Sequence, residues 1–110
     1  MTLSRRRVLA LTGACLAAPV VGHAAGRLHE VAMRRLAFEP EQLDVAIGDS
    51  IRFTNHDLAP HTATAEDGSW DSGTLAKGDS ATLEVTADWG TDYFCAFHPH
   101  MTARLVISGG

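Results

Sequence analysis

The chain has 110 residues, nine Lys and Arg against thirteen Asp and Glu, and a formal charge of −4. That length holds one domain and no second core. An acidic balance with no basic patch excludes nucleic acid as a partner, and it suits a basic protein.

The first residues read as a leader. Arg5-Arg6-Arg7 run into a small and apolar stretch from Val8 to Val21, and Gly22-His23-Ala24 offers small residues at both positions that a signal peptidase reads. This predicts an export signal of the twin-arginine-like type over residues 1–24, a folded domain over 25–110, and a bacterial periplasmic destination. The apolar stretch is only 14 residues long and carries Gly13 and Pro19. It is too short to span a bilayer, so no stable membrane insertion is expected after cleavage. A lipidated Cys15 is disfavoured, because Thr12 stands where that signal usually has Leu. Cleavage after Ala24 leaves 86 residues, with six basic against thirteen acidic side chains and a formal charge of −7. Cys95 is then the lone cysteine. No disulfide framework is possible, and a single thiol in an oxidising compartment calls for an occupant.

Two-residue alternation dominates the remainder, and no long stretch shows good helical periodicity. His29 to Phe38 reads as a first strand. Val31 and Met33 share one parity and Leu36 and Phe38 the other, which predicts a bulge or a crossing between sheets. After Pro40, Leu43, Val45 and Ile47 alternate with polar or small residues. Gly48-Asp49 is a turn. Ile51 and Phe53 point inward on a strand ending at Asn55. A polar loop runs to Pro60, and His61 to Ala65 resumes extended structure. Turns follow at Glu66–Ser69 and Lys77–Asp79, on either side of an irregular segment from Trp70 to Leu75. Ala81, Leu83 and Val85 form the next alternating run, Thr91 to Cys95 another, and Arg104 to Ser108 the last strand. About seven short strands separated by turn signals predict an all-β, two-sheet Greek-key β-sandwich. Trp70 and Trp89 read as packing residues.

Chemistry concentrates near the C-terminus. Cys95-Ala96-Phe97-His98-Pro99-His100-Met101 places a thiol, an imidazole and a thioether three residues apart. Pro60-His61, at a strand start some 34 residues earlier, supplies a second imidazole. Loops cluster at the ends of a sandwich, so these segments can meet. Two His, one Cys and a weak axial Met form the ligand set of a mononuclear blue-copper electron-transfer centre. Structural zinc favours four strong ligands and rarely uses Met. Each residue alone has a plainer role: a buried thiol, a loop histidine, a strand-edge histidine, a core methionine. Their joint occurrence in an exported β protein favours the metal. The expected ligands are therefore His61, Cys95, His98 and Met101 around one copper ion cycling between Cu(I) and Cu(II). Asn55 is expected to tie the His61 loop to the Cys95 loop. His56 and His100 are expected to face solvent or a partner. Phe97, Pro60 and Pro99 would form an apolar collar around an edge-exposed His98.

The sequence resembles the cupredoxins, and within them the amicyanin, pseudoazurin and plastocyanin group. The resemblance rests on Leu43-x-Val45-x-x-Gly48-Asp49-x-Ile51-x-Phe53-x-Asn55, on Pro60-His61-x-x-x-Ala65, on Asp71-Ser72-Gly73-x-Leu75-x-x-Gly78, and on Tyr93-x-Cys95-x-x-His98-Pro99-x-Met101. It implies a β-sandwich, one type 1 copper, the same four ligands, and single-electron shuttling in the periplasm. One departure concerns the corner before the ligand loop. In Trp89-Gly90-Thr91-Asp92-Tyr93-Phe94-Cys95 the glycine lies one residue too near the cysteine, and no Tyr lies four residues before it. His100 also replaces a residue that is apolar in amicyanin.

The expected function is that of a monomeric electron carrier, not an enzyme. It would have no catalytic residue and would meet a redox protein donor and a redox protein acceptor transiently. A copper storage or delivery protein is the alternative, and it would favour Met- or His-rich exchangeable sites. A small copper enzyme would need a second copper centre, which 86 residues with one ligand set do not supply.

Overall fold

The computed structural model describes residues 26–109, so the expected signal over residues 1–24 lies outside the described residues. Among the described residues, eight strands form two sheets. They are β1 (Leu28–Arg34), β2 (Ala37–Glu39), β3 (Gln42–Ala46), β4 (Ser50–Asn55), β5 (Thr64–Ala65), β6 (Ser80–Glu84), β7 (Asp92–Cys95) and β8 (His98–Ser108). One sheet has the order β2-β1-β4-β6 and the other β3-β8-β7-β5. Each is mixed, with β1 parallel to β4 and β3 parallel to β8. Neighbours so far apart in sequence are the mark of the Greek-key sandwich that the alternation predicts.

Alternation builds the core directly. In β4, Ile51, Phe53 and Asn55 are buried while Ser50, Arg52 and Thr54 are partly open. In β8, Met101, Ala103 and Leu105 are buried and Thr102, Arg104 and Val106 are exposed. The two inner faces meet around Tyr93. Phe38 meets it edge-on at 4.7 Å, and Phe53 does so at 5.8 Å. Trp70 stacks on Phe53 on one side and on Trp89 on the other. Both tryptophans are thus packing residues, as expected. Each such ring contributes about 1.5–3 kcal/mol of burial, so this cluster is the principal apolar anchor of the sandwich.

Three local features differ from the sequence reading. The parity switch in the first run is neither a bulge nor a crossing. Arg34 pairs with Ala37 and Met33 with Phe38, so the chain reverses in a two-residue hairpin at Arg35-Leu36. A two-residue reversal pairs residues of opposite parity, which brings Met33 and Phe38 to the same inner face. Leu36 sits at the tip, 45% exposed. Secondly, the last strand begins at His98, six residues earlier than expected, and the ligand stretch is itself the hairpin joining β7 to β8, with a register shift at Phe94/Cys95. Thirdly, the unusual corner before β7 is held to the Glu66–Trp70 turn. The Gly90 amide donates to Ser69 Oγ and its carbonyl accepts the Trp70 indole N–H.

The end of the sandwich where β1 and β4 begin is organised by one buried carboxylate. Gly48, with φ at 98°, makes the turn that only glycine adopts without strain. Asp49 then turns inward. Its oxygens accept the Arg27 amide at 2.9 Å, the Ala46 amide at 2.9 Å and His29 Nε2 at 2.8 Å. The Arg27 amide first, then His29, hold its pKa down to about 2. A carboxylate depressed from its ordinary value of 3.8 stabilises the fold above that value, and the contribution disappears as pH falls towards 2. Asp49→Ala is therefore expected to cost about 2–4 kcal/mol in urea denaturation at pH 7, given hydrogen bonds to a charged group. The gap between wild type and variant should narrow progressively as unfolding is measured from pH 4 down to pH 2.

Candidate metal centre

The site lies at the opposite end, where β1, β4 and β7 finish. Its geometry follows from the β5–β7 register. Thr64 pairs with Phe94 and Ala65 with Tyr93 in antiparallel fashion. Continued by two residues, that register brings Ala63 opposite Cys95 and Thr62 opposite Ala96, which puts His61 on the same face as Cys95, one diagonal step away. His61 is fixed on its other side by paired main-chain hydrogen bonds with Leu75, of 3.0 and 2.8 Å.

Three donors converge. Cys95 Sγ lies 3.7 Å from His61 Nδ1 and 3.6 Å from His98 Nδ1. The three atoms all lie within 4.8 Å of one another, and this is the one such His, Cys or carboxylate group among the described residues. Both Cys95 and His61 are fully buried, whereas His98 is half-buried and meets His61 edge-on at 5.0 Å. A sulfur about 2.3 Å and a nitrogen about 2.0 Å from one ion, subtending roughly 110–120°, stand about 3.5–3.8 Å apart. Both observed sulfur–nitrogen separations match a shared ion. Met101 is buried in the same core cluster as Cys95, three residues beyond His98 on β8. His56 and His100 are exposed and stand outside the donor group.

The tie between the two ligand segments is not Asn55. Its side chain is buried and works within its own neighbourhood. Nδ2 donates to the Ala59 and Leu75 carbonyls at 2.8 and 2.9 Å, and Oδ1 accepts the Asp57 amide at 2.7 Å. Asn55 thus shapes the loop that delivers His61. The link to the Cys95 segment is Thr62. Its Oγ1 accepts the Ala96 amide at 2.8 Å, and its own amide donates to Cys95 Sγ at 3.4 Å. A hydroxyl directly after a candidate ligand at a strand start was the available signal. Which of Asn55 and Thr62 reached across depended on strand register.

A second residue carries no sequence assignment. Asp57 Oδ2 lies 2.8 Å from His61 Nε2, the ring nitrogen facing away from Cys95. Asp57 also accepts the Arg35 and Leu36 amides at 2.8 and 2.9 Å. Burial opposes its ionisation, but the Leu36 amide, His61 and the Arg35 amide outweigh it and hold the carboxyl at about 2.

With this geometry in hand, comparison with known proteins assigns the chain. The profile of the cupredoxin-like domain family matches residues 7–107. The chain belongs to the cupredoxin-like family. Among solved structures it is similar to reduced amicyanin carrying the P94F substitution, with 28% identity over 74% of this chain and 82% of that one, at a TM-score of 0.63. A purple cupredoxin from Nitrosopumilus maritimus is 21% identical over 73% of this chain and 99% of that one, with a TM-score of 0.62, and supports the fold alone. A copper-containing nitrite reductase from Thermus scotoductus also matches at 21% identity and a TM-score of 0.64, but only over 22% of its length. Among curated proteins, none matches the cupredoxin-like chain by sequence.

Removing the Thr62 hydroxyl should loosen the two ligand segments while leaving the donors in place. Thr62→Ala exposes no new charge but deprives the Ala96 amide of its partner. Chemical denaturation should show a loss of about 1–2 kcal/mol. The variant should also release bound metal to a chelator faster than wild type. Unchanged metal release would show that the cross-segment tie does not organise the site.

Proposed function

We propose that this cupredoxin-like protein is a type 1 copper electron carrier, with His61, Cys95, His98 and Met101 as ligands, acting in the periplasm between redox protein partners. The observation that carries the reading is the convergence of one thiol sulfur and two imidazole nitrogens at 3.6 and 3.7 Å. When bound, copper would supply a one-electron couple, and a soft sulfur with two imidazoles suits both oxidation states imperfectly and nearly equally.

The rest follows from the chain's own residues. His61 and Cys95 are buried and anchored by main-chain hydrogen bonds, so neither is free to swing when the charge of the site changes. A donor set that moves little keeps reorganisation small. Met101, buried in the same core cluster as Cys95, would complete the set and leave no open position for a substrate, which favours a carrier over a catalyst. His98 is the ligand nearest solvent. Phe97 and Pro99 flank it in the chain and Pro60 adjoins His61; Phe97 is 51% exposed, and both prolines are exposed as well. That apolar surround supports electron passage through the His98 edge into a small transient interface.

Addition of Cu(II) to the purified protein should produce an intense visible thiolate-to-copper band. The band should bleach with one equivalent of a one-electron reductant and return on reoxidation. Cys95→Ser should bind copper without colour. A colourless wild-type Cu(II) adduct would sink the reading, and rapid loss of copper to a mild chelator would favour storage or delivery instead.

A further inference from the structure

We infer that Asp57 is a positioning residue for the metal centre: it fixes the proton of His61 on Nε2, leaves Nδ1 bare towards Cys95, and biases a bound copper towards its higher oxidation state. This rests on the copper reading above.

An ionised carboxylate only accepts hydrogen bonds. Two of the three groups around Asp57 are main-chain amides, of Arg35 and Leu36, which only donate. The third, His61 Nε2 at 2.8 Å, must then be a donor too. A neutral imidazole carrying its proton on Nε2 has its lone pair on Nδ1, the atom 3.7 Å from Cys95 Sγ. For the neutral ring, this hydrogen bond selects the tautomer needed for ligation before any metal arrives. His61 is fully buried, so water does not compete for Nε2.

The same carboxylate is held rigid by an unusual hairpin. Arg35 and Leu36 have φ of 56° and 58°. Both central residues of a two-residue hairpin adopt positive φ in the mirror-image turn that Asn-Gly favours. An Arg-Leu pair is strained there, because each Cβ crowds the neighbouring carbonyl oxygen. Two hydrogen bonds to a charged acceptor offset that strain. Asp57 is in turn fixed by the hairpin, and its own amide is held by Asn55 Oδ1 at 2.7 Å. A chain of contacts thus runs from the exposed tip of the β1–β2 hairpin to the donor set. A carboxylate on the far nitrogen of a metal-bound imidazole raises the basicity of the ligating one. It also places a negative charge near the ion. Both effects favour Cu(II) over Cu(I).

The test compares wild type with Asp57→Asn, which keeps the shape and removes the charge. The ratio of Cu(I) to Cu(II) at one fixed solution potential should rise at least tenfold, about 59 mV for a one-electron couple. A smaller shift, or one in the opposite direction, overturns the inference. A control separates the electronic role from the structural one. Arg35→Asn/Leu36→Gly relaxes the hairpin with Asp57 intact, and its ratio should stay within threefold of wild type. A tenfold change there as well would assign the effect to the hairpin and not to the carboxylate. If Asp57→Asn does not fold, or if wild type shows no thiolate-to-copper band, nitrogen-15 NMR of the metal-free wild-type protein decides. Nε2 protonated and Nδ1 bare supports the inference, and the reverse tautomer overturns it. A missing band with the expected tautomer would overturn the copper reading alone.

Discussion

A cysteine sulfur and a histidine nitrogen from segments 34 residues apart are held 3.7 Å from each other. The rest of the molecule is arranged so that this separation does not relax. The β5–β7 register sets it, Thr62 fastens it from one side, and the main-chain pairing of His61 with Leu75 closes the other. No disulfide supplies this rigidity, since Cys95 is the free cysteine of the described residues. Hydrogen bonds do so, each worth only about 1 kcal/mol net but costly to leave unmade once buried. The site is stiff because several such groups would have to open together.

The two ends of the sandwich use the same device for different purposes. At one end Asp49 gathers two amides and His29, and stitches the start of β4 to the residues before β1. At the other Asp57 gathers two amides and His61, and stitches the β1–β2 hairpin to a candidate ligand. Both carboxyls are held near pH 2 by these donors, although burial works against ionisation in each. The first arrangement serves stability. The second couples stability to the chemistry of the metal centre, because the donor on its third side is an imidazole whose other nitrogen faces the thiol.

Much of this was legible in the sequence, and the reason is local. Period-two alternation in Ile51–Asn55 and in Ala81–Val85 reports which face is buried without reference to any partner strand. The recurrence of Cys95, His98 and Met101 reports a chemistry with few other uses. What escaped depended on contacts between distant segments. Asn55 and Thr62 were both polar residues near His61, and only the register against β7 made Thr62 the one that reaches Ala96. The hairpin at Arg35-Leu36 lacked the Asn or Gly that usually announces such a turn, because its compensation lies at Asp57, more than twenty residues along the chain. The β7–β8 hairpin lies inside the ligand stretch, where the reversal at Ala96-Phe97 carries no Gly, Asn or Pro to announce a turn.

The central claim is that one sulfur and two imidazole nitrogens hold copper in a setting that the fold has already built. X-ray absorption at the copper edge, on the loaded protein in both oxidation states, tests this most directly. The account predicts one short copper–sulfur and two copper–nitrogen neighbours in Cu(II), and the same three neighbours in Cu(I). A Cu(II) spectrum of nitrogen and oxygen neighbours without sulfur, or a change of ligand set on reduction, would contradict it.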